Sequence, residues 1–359
     1  VTTYLLCGGG TAGHVNPLLA IADRLRSTEP DSTIIVLGTA EGLEARLVPE
    51  RGYELVTVPK LPFPRRPNRA ALSFPGKLSG LVRSIGDVIA SRGVDVVVGV
   101  GGYVSAPAYV AARRAGVPIA LHEANARPGM ANRLGAMLTK QVGVAFEGTP
   151  LRHSRVVGMP LRDEIEKLDR RSARAQAVDF FGLDPHRHTL LVTGGSLGAR
   201  VINETVAESA AIILGTGWQI LHITGERDVD AVTEPLPHHH VVAYCDRMDL
   251  ALAVADLAVS RAGAATVSEL TGLGIPAVYV PLAIGNGEQR LNARHAVSRG
   301  AAILVDNSDF TPGWVRETLV PLMMDQAALV EMAGRAAGIG VLNGTDRMIE
   351  LVHEAVRIN

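Results

Sequence analysis

Short apolar runs without polar alternation recur along this chain, separated by longer stretches whose apolar positions return every three or four residues. TYLLC, STIIVLG, VDVVVGVG, VPIALHE and KQVGVAF read as strands in the first half. HTLLVTG, WQILHITG, HVVAYC, ADLAVS and PAVYVPL read as strands in the second. Runs apolar on both faces suit parallel strands covered by helices on each side. Between them, Val15, Leu18, Leu19, Ala22 and Leu25 share one helical face, with Asn16-Pro17 as the expected cap and first-turn pair. The pattern predicts an α/β protein with two doubly wound parallel sheets.

The pattern breaks near Gly158-Met159-Pro160-Leu161-Arg162 and then restarts: TYLLCGGGTAGH and TLLVTGGSLGAR are both apolar strand, glycine-rich turn and helix. This predicts domains at 1–161 and 162–343. The amphipathic C-terminal stretch, about residues 344–359, is expected to pack back on the first. The length of 359 residues suits two domains, and 47% hydrophobic residues can fill both cores.

A net charge of −1 gives no global signal for nucleic acid. Cys7 and Cys245 are far apart and imply no disulfide framework. No signal peptide is evident, and no apolar run is long enough to span a bilayer.

Three glycine-rich loops, Gly8 to Gly13, Gly101-Gly102 and Gly194 to Gly198, each follow a strand. Glycine admits a close-approaching ligand, and the next helix N-terminus favours an anion. One such loop alone is a tight turn; three at equivalent places point to ligand sites. Gly8, Gly10 and Gly13 match a dinucleotide fingerprint, but the ribose acid expected after the second strand is missing. That run ends in Gly38-Thr39-Ala40, with Glu41 beyond. A nicotinamide oxidoreductase is therefore disfavoured.

A better nucleotide site is SRAGAATVSELTGLGIPAVYVP, where small residues precede a helix carrying Glu269. Its carboxylate either accepts from both ribose hydroxyls or is a solvated helix residue. In GNGEQRLNA, Glu288, Gln289 and Asn292 either meet sugar hydroxyls or form a polar surface loop. His238-His239-His240 lacks metal-ligand spacing and reads as an exposed loop. From Lys60 to Gly86 there is no acidic residue. Lys60, Arg65, Arg66, Arg69, Lys77 and Arg83 interleave with Leu61, Phe63, Leu72, Phe74, Leu78 and Leu81. Such a surface either binds anionic lipid or packs on the core.

Taken in order, GGGTAGHVNP, GGYVSAP, HEANARPG, VVGMPLR, GGSLGAR, SRAGAATVSEL and GNGEQRLNA resemble the MurG family over nearly the whole chain. These are UDP-N-acetylglucosamine:undecaprenyl-pyrophosphoryl-muramyl-pentapeptide N-acetylglucosaminyltransferases. The resemblance implies a GT-B fold, two Rossmann-like domains around a deep cleft. It also implies an inverting, metal- and cofactor-independent transfer of GlcNAc from UDP-GlcNAc to the MurNAc 4-hydroxyl of lipid I. The partners implied are those substrates, an anionic membrane surface at the cytoplasmic face, and proteins of wall synthesis. Another UDP-GlcNAc-using GT-B enzyme, a 2-epimerase or glycolipid glycosyltransferase, is the alternative. A scaffold protein without turnover would need a broken site, yet His14, Glu269 and Gln289 are present.

By the same resemblance, Glu269 binds ribose and the backbone at Cys245, with Met248 nearby, reads uracil. Ser196, Gly198 and Arg162 meet the diphosphate. Ala264, Ala265 and Thr266 line the sugar-phosphate side, and Glu288, Gln289 and Asn292 hold GlcNAc. Thr11, Ala12, Gly13 and Asn125 also face the donor, while Gly10, Gly102 and Tyr103 face the acceptor. Arg65, Arg66, Arg69, Phe74, Lys77 and Leu78 are the expected membrane contacts. His14 is the first candidate base, or else positions the acceptor pyrophosphate; Glu123 is second, or else structural. Leu197, Ala124, Met159 and Glu288 depart from the usual residues (Gln, Gln, Asn and Gln), which puts individual side-chain contacts in question.

Overall fold

The computed structural model describes residues 1–62, 69–195, 198–232, 236–282 and 287–357, with backbone alone at 69–72 and 229. The chain divides into unit 1, Val1–Asp163 with Asn343–Asn359, and unit 2, Glu164–Leu342. Arg162, Asp163 and Asn343, assigned from sequence to the second domain, group with unit 1.

Unit 1 carries strands β1 (Thr3–Gly8), β2 (Thr33–Gly38), β3 (Glu54–Thr57), β4 (Val96–Gly101), β5 (Ile119–Glu123), β6 (Gln141–Val144) and β7 (Ser154–Val156). Helices α1 (Ala12–Thr28), α2 (Glu44–Glu50), α3 (Arg69–Arg92), α4 (Ser105–Ala115) and α5 (Met130–Leu138) link them. The spatial order is β3-β2-β1-β4-β5-β6-β7, and every pairing is parallel.

Unit 2 carries β8 (Thr189–Thr193), β9 (Gln219–Ile223), β10 (His239–Val242), β11 (Ala255–Ser260), β12 (Ala277–Tyr279) and β13 (Ala302–Leu304). They lie in the order β10-β9-β8-β11-β12-β13, again all parallel. Its helices are α6 (Asp163–Glu166, beginning at the boundary), α7 (Arg170–Phe181), α8 (Arg200–Leu214), α9 (Met248–Val254), α10 (Ala264–Gly272), α11 (Glu288–Ser298), α12 (Pro312–Trp314), α13 (Val320–Met324) and α14 (Gln326–Ile339). The chain then returns to unit 1 as α15 (Gly344–Arg357).

The absence of alternation in the strand pattern has a direct cause. In β1, Tyr4 and Leu6 enter one core, with Val15, Leu18 and Val96. Leu5 and Cys7 enter the opposite core, with Ile85, Val97 and Ala108. Both faces are covered, so both parities must be apolar. α15 completes the first of these cores with Met348, Leu351 and Val352. It is tied down by Glu29, which accepts from Tyr4 Oη at 2.7 Å and pairs with His353 Nε2 at 2.6 Å. Arg24 of α1 pairs with Asp163 at 3.0 Å and with Asp346, and Thr345 Oγ1 donates to the Leu161 carbonyl at 3.2 Å. Both crossings of the chain are thus fastened to unit 1.

Two local expectations are corrected. α1 begins at Ala12 with Thr11 as its cap residue, so Pro17 lies inside the helix and not at its first position. The amide that proline lacks would have served the Gly13 carbonyl, at the loop edge of the helix. His239 and His240 are not an exposed loop; they open β10, and His239 is buried.

Candidate functional site

In each sheet the strand order reverses direction beside its first strand, between β1 and β4 and between β8 and β11. In doubly wound folds ligands bind outside the carboxyl ends of the strands at this switch point. Gly8–Thr11 and Gly101–Val104 flank it in unit 1. Gly194, Gly195, Gly198 and Ala199, with Arg261–Gly263, flank it in unit 2. The glycine loops singled out from sequence therefore lie at the two switch points.

The two unit 1 loops touch. A Cβ at Gly102 would lie 2.7 Å from the Gly9 carbonyl oxygen, and Gly102 has φ +89°, so glycine is required there on both counts. His14, half-buried in the first turn of α1, lies over Gly101: a Cβ there would meet its Cδ2 and Nε2 at 3.1 Å. His14 Nδ1 is 3.3 Å from Thr11 Oγ1. Tyr103 is exposed, and Lys60 Nζ sits 5.4 Å from its ring centroid.

Behind this loop pair is a residue that the sequence reading missed. Glu44, the first residue of α2, is fully buried. Its Oε2 accepts from Gly10 N at 2.8 Å; its Oε1 accepts from Thr39 N at 2.9 Å and Thr39 Oγ1 at 2.8 Å. Burial alone would raise this carboxyl's pKa, but the amide hydrogen bonds outweigh it and the net direction is down. The sequence carries no signal that singles it out, since Glu41 and Glu44 both stand near Gly42 and only the fold brings Gly9 near. A Cβ on Gly9, Gly38 or Gly42 would come within 2.3, 2.6 and 2.0 Å of the Glu44 side chain, respectively.

Glu123, at the end of β5, is buried and occupied. Oε1 accepts from Asn125 N at 2.9 Å; Oε2 accepts from Gly129 N and from Asn132 Nδ2, both at 3.0 Å. Asn132 also donates to the His122 carbonyl at 3.0 Å and accepts from Tyr109 Oη at 2.8 Å. Glu123 thus shapes the loop that carries Asn125. Ala124 and Met159, two departures from the family pattern, are both buried. Met159 lies against Gly344, where a Cβ would come 2.3 Å from its carbonyl oxygen.

In unit 2, Gly198 packs on the Thr224 carbonyl, where a Cβ would come within 2.4 Å. Ser196 and Leu197 lie outside the described residues. At the other loop, Arg261 Nη1 donates to the Val280 and Pro281 carbonyls and to Asn307 Oδ1 at 2.9, 3.2 and 2.6 Å. α10 starts at Ala264, with Ala265 and Thr266 in its first turn and the half-buried Glu269 one turn further. Asn292 is buried and donates to the Ala262 carbonyl at 3.3 Å; Gln289 Oε1 accepts from Leu282 N at 2.9 Å. Glu288, at the start of α11, is exposed. Cys245 is half-buried, and Met248 opens α9 beside the Arg247–Asp249 ion pair at 2.6 Å.

The structure thus groups Gly10, Thr11, Ala12, Gly13, His14, Gly102, Tyr103, Glu123 and Asn125 in unit 1, with Arg162. It groups Gly198, Cys245, Met248, Ala264, Ala265, Thr266, Glu269, Glu288, Gln289 and Asn292 in unit 2.

Arg65 and Arg66 lie outside the described residues, as does the side chain of Arg69. In α3, Lys77 is exposed, Phe74 and Leu78 are half-buried, and Leu81 is in the core. No helix among the described residues is long and apolar enough to cross a membrane. Among the described residues no group of three His, Cys, Asp or Glu side chains could hold a metal ion.

Residues 4–144 match the glycosyltransferase family 28 N-terminal domain, and residues 189–348 the glycosyltransferase family 28 C-terminal domain. The chain is 62% identical over 353 residues, 98% of either chain, to the UDP-N-acetylglucosamine--N-acetylmuramyl-(pentapeptide) pyrophosphoryl-undecaprenol N-acetylglucosamine transferase of Leifsonia xyli subsp. xyli (strain CTCB07). It is 48% identical over 355 residues, 98% of either chain, to the protein of the same name from Streptomyces coelicolor. Among solved structures, Acinetobacter baumannii MurG is similar with TM-score 0.81 and 28% identity, over 99% of this chain and 100% of that one. A UDP-GlcNAc 2-epimerase from Neisseria meningitidis shares the fold, with TM-score 0.70 and 14% identity, over 99% and 100% of the two chains.

Proposed function

The chain belongs to glycosyltransferase family 28, and from that membership we propose the chemistry of its two switch-point sites. The activity is that of an N-acetylglucosaminyltransferase of peptidoglycan synthesis, moving GlcNAc from UDP-GlcNAc to the MurNAc 4-hydroxyl of lipid I. The observation that carries this reading is the full-length likeness to N-acetylglucosamine transferases described above. Two Rossmann-like units in one chain are the GT-B architecture.

We assign the acceptor to the unit 1 loops and the nucleotide sugar to unit 2. The acceptor oxygen forms a bond to the anomeric carbon while the bond from that carbon to the diphosphate breaks, its electron pair leaving with UDP. His14 takes the hydroxyl proton. Its Nδ1 lies within reach of Thr11 Oγ1, which steadies the ring, and a neutral imidazole is a base suited to neutral pH. The diphosphate charge falls on amides at Gly194, Gly195, Gly198 and Ala199 and at the start of α10. Glu269 accepts from ribose and the Cys245 backbone reads uracil. Gln289, whose Oε1 is engaged with Leu282 N, offers its amide hydrogens to GlcNAc beside Glu288. Asn292 acts through the Ala262 carbonyl to hold the α10 loop. Glu123 positions Asn125. The basic and apolar stretch from Lys60 to Gly86 meets the anionic surface on which lipid I resides, with attraction of about 1 kcal/mol per cation near the headgroups.

The test is incubation with UDP-GlcNAc, with and without lipid I, following UDP release. Acceptor-dependent release is expected. Release without acceptor supports an epimerase or hydrolytic reading instead, and no release refutes the transferase. Separately, kcat of His14→Ala near that of the parent protein would remove the base role.

A further inference from the structure

Glu44 is a buried carboxylate whose partners are two backbone amides and one hydroxyl, not a cation. Three donors converge on its two oxygens, and only a side chain with acceptors at both tips satisfies them. In glutamine, the amide nitrogen would face a donor whichever way the group turned. The surrounding backbone is cut to fit this side chain: Gly9 and Gly42 leave space that Glu44 fills, and Gly38 leaves space that it shares with Leu55. The peptide it grips is consequential. Gly9 is backed on its other side by Gly102, and Gly10 leads directly into Thr11, whose carbonyl receives the amides of His14 and Val15 at 3.0 Å. The Gly9-Gly10 segment is therefore clamped between Glu44 and the β4–α4 loop.

We propose that Glu44 is a positioning residue for the acceptor site. Through the Gly10 amide it sets the Gly9–Thr11 loop, and with it the His14 ring and the register of that loop against Gly102. This role rests on the transferase reading above. Glu44 touches neither substrate; it acts through Gly10, on the acceptor side, and its effect falls chiefly on the acceptor because the ribose and uracil contacts of the nucleotide are assigned to unit 2.

The experiment is steady-state transfer with each substrate varied, for the parent protein, Glu44→Gln, Gly9→Ala and Thr39→Val, together with UDP-GlcNAc binding in the absence of acceptor. Loss of a charge-assisted hydrogen bond to a buried amide predicts a rise of about tenfold or more in KM for lipid I in Glu44→Gln. KM and Kd for UDP-GlcNAc should stay within about twofold, and the intact nucleotide binding reports a folded chain. Gly9→Ala, which displaces the carboxylate without removing its charge, should reproduce the pattern. Thr39→Val, which spares the Gly10 bond, should change KM for lipid I by less than about threefold. Glu44→Gln with acceptor kinetics like the parent overturns the role. So does a loss shared by both substrates that tracks a fall in Tm, the signature of mere stability. Failure of the parent protein to transfer overturns the functional reading itself, and the Glu44 role with it.

Discussion

Lowering the pH from about 7.5 to about 5 should destabilise unit 2 through a histidine pair buried on its neighbouring strands β9 and β10. His222 and His239 stack with ring centroids 5.5 Å apart. Their tautomers follow from the partners. Asn203 Nδ2 donates to the Thr224 carbonyl at 2.8 Å, so its Oδ1 faces His222 Nε2 at 3.0 Å and must accept. His222 Nδ1 is then an acceptor, and His239 Nε2–H donates to it across 3.2 Å. Protonating His222 would set N–H against N–H. Burial pushes His222 down to about 3, with His239 a further cause, and pushes His239 down to about 4; burial lowers His240 as well.

The ordinary histidine value is about 6.5, so between 6.5 and 5 the unfolded chain binds protons that the folded unit refuses, and stability falls with pH. Over 1.5 pH units the loss is about 2 kcal/mol per ring, or about 4 kcal/mol for the pair. Its full stabilisation is present above about 6.5 and is lost as pH falls toward the folded values. Both tryptophans, Trp218 and Trp314, belong to unit 2, so urea unfolding followed by tryptophan fluorescence reads this unit alone. His239→Phe, which keeps a ring in the stack and removes one titrating group, should halve the drop. A parent protein that loses less than about 1 kcal/mol over this range, or a variant with an undiminished drop, would refute the reasoning.

Leu351→Ala removes a buried side chain from the unit 1 core and should cost about 2–5 kcal/mol, visible as an earlier far-UV circular dichroism transition while tryptophan fluorescence is unmoved. Asn132→Leu leaves Tyr109 Oη, Glu123 Oε2 and the His122 carbonyl each short of a partner. A loss of at least about 2–3 kcal/mol is expected, with faster hydrogen exchange at Asn125 and Gly129 amides. Changing Arg65, Arg66 and Arg69 together to Glu should weaken sedimentation with anionic liposomes by tenfold or more, on the order of 1 kcal/mol per cation; unchanged binding would place the membrane contact elsewhere.

The central strands are legible because both their faces are buried, and covered strands must be apolar throughout. The strands the pattern misses, β3, β7 and β13, are short outer strands. Ser154, Arg155 and Val156 of β7 are all exposed, so nothing there selects for hydrophobicity. The glycine loops are legible as breaks after strands, and topology gathers them at the switch points. Glu44 was illegible for a different reason. Two of its three partners are backbone amides, which carry no residue identity, and the three glycines that accommodate it are spread from Gly9 to Gly42. His238-His239-His240 misled because three polar residues look like a loop. Burial of His239 depends on Asn203 and His222, which only the fold brings near.

α15 bears on how the protein is made. Unit 1 begins to be made before unit 2, yet one of the cores enclosing β1 lacks Met348, Leu351 and Val352 until unit 2 has been synthesised. Unit 2 is contiguous and can condense as it emerges, whereas the earlier part of unit 1 must wait unsealed, with the face of β4, β5 and β6 that α15 packs on uncovered. Nascent chains stalled before about residue 343 should therefore carry a protected second unit and a protease-sensitive first one, reversing the usual order in which domains mature on the ribosome.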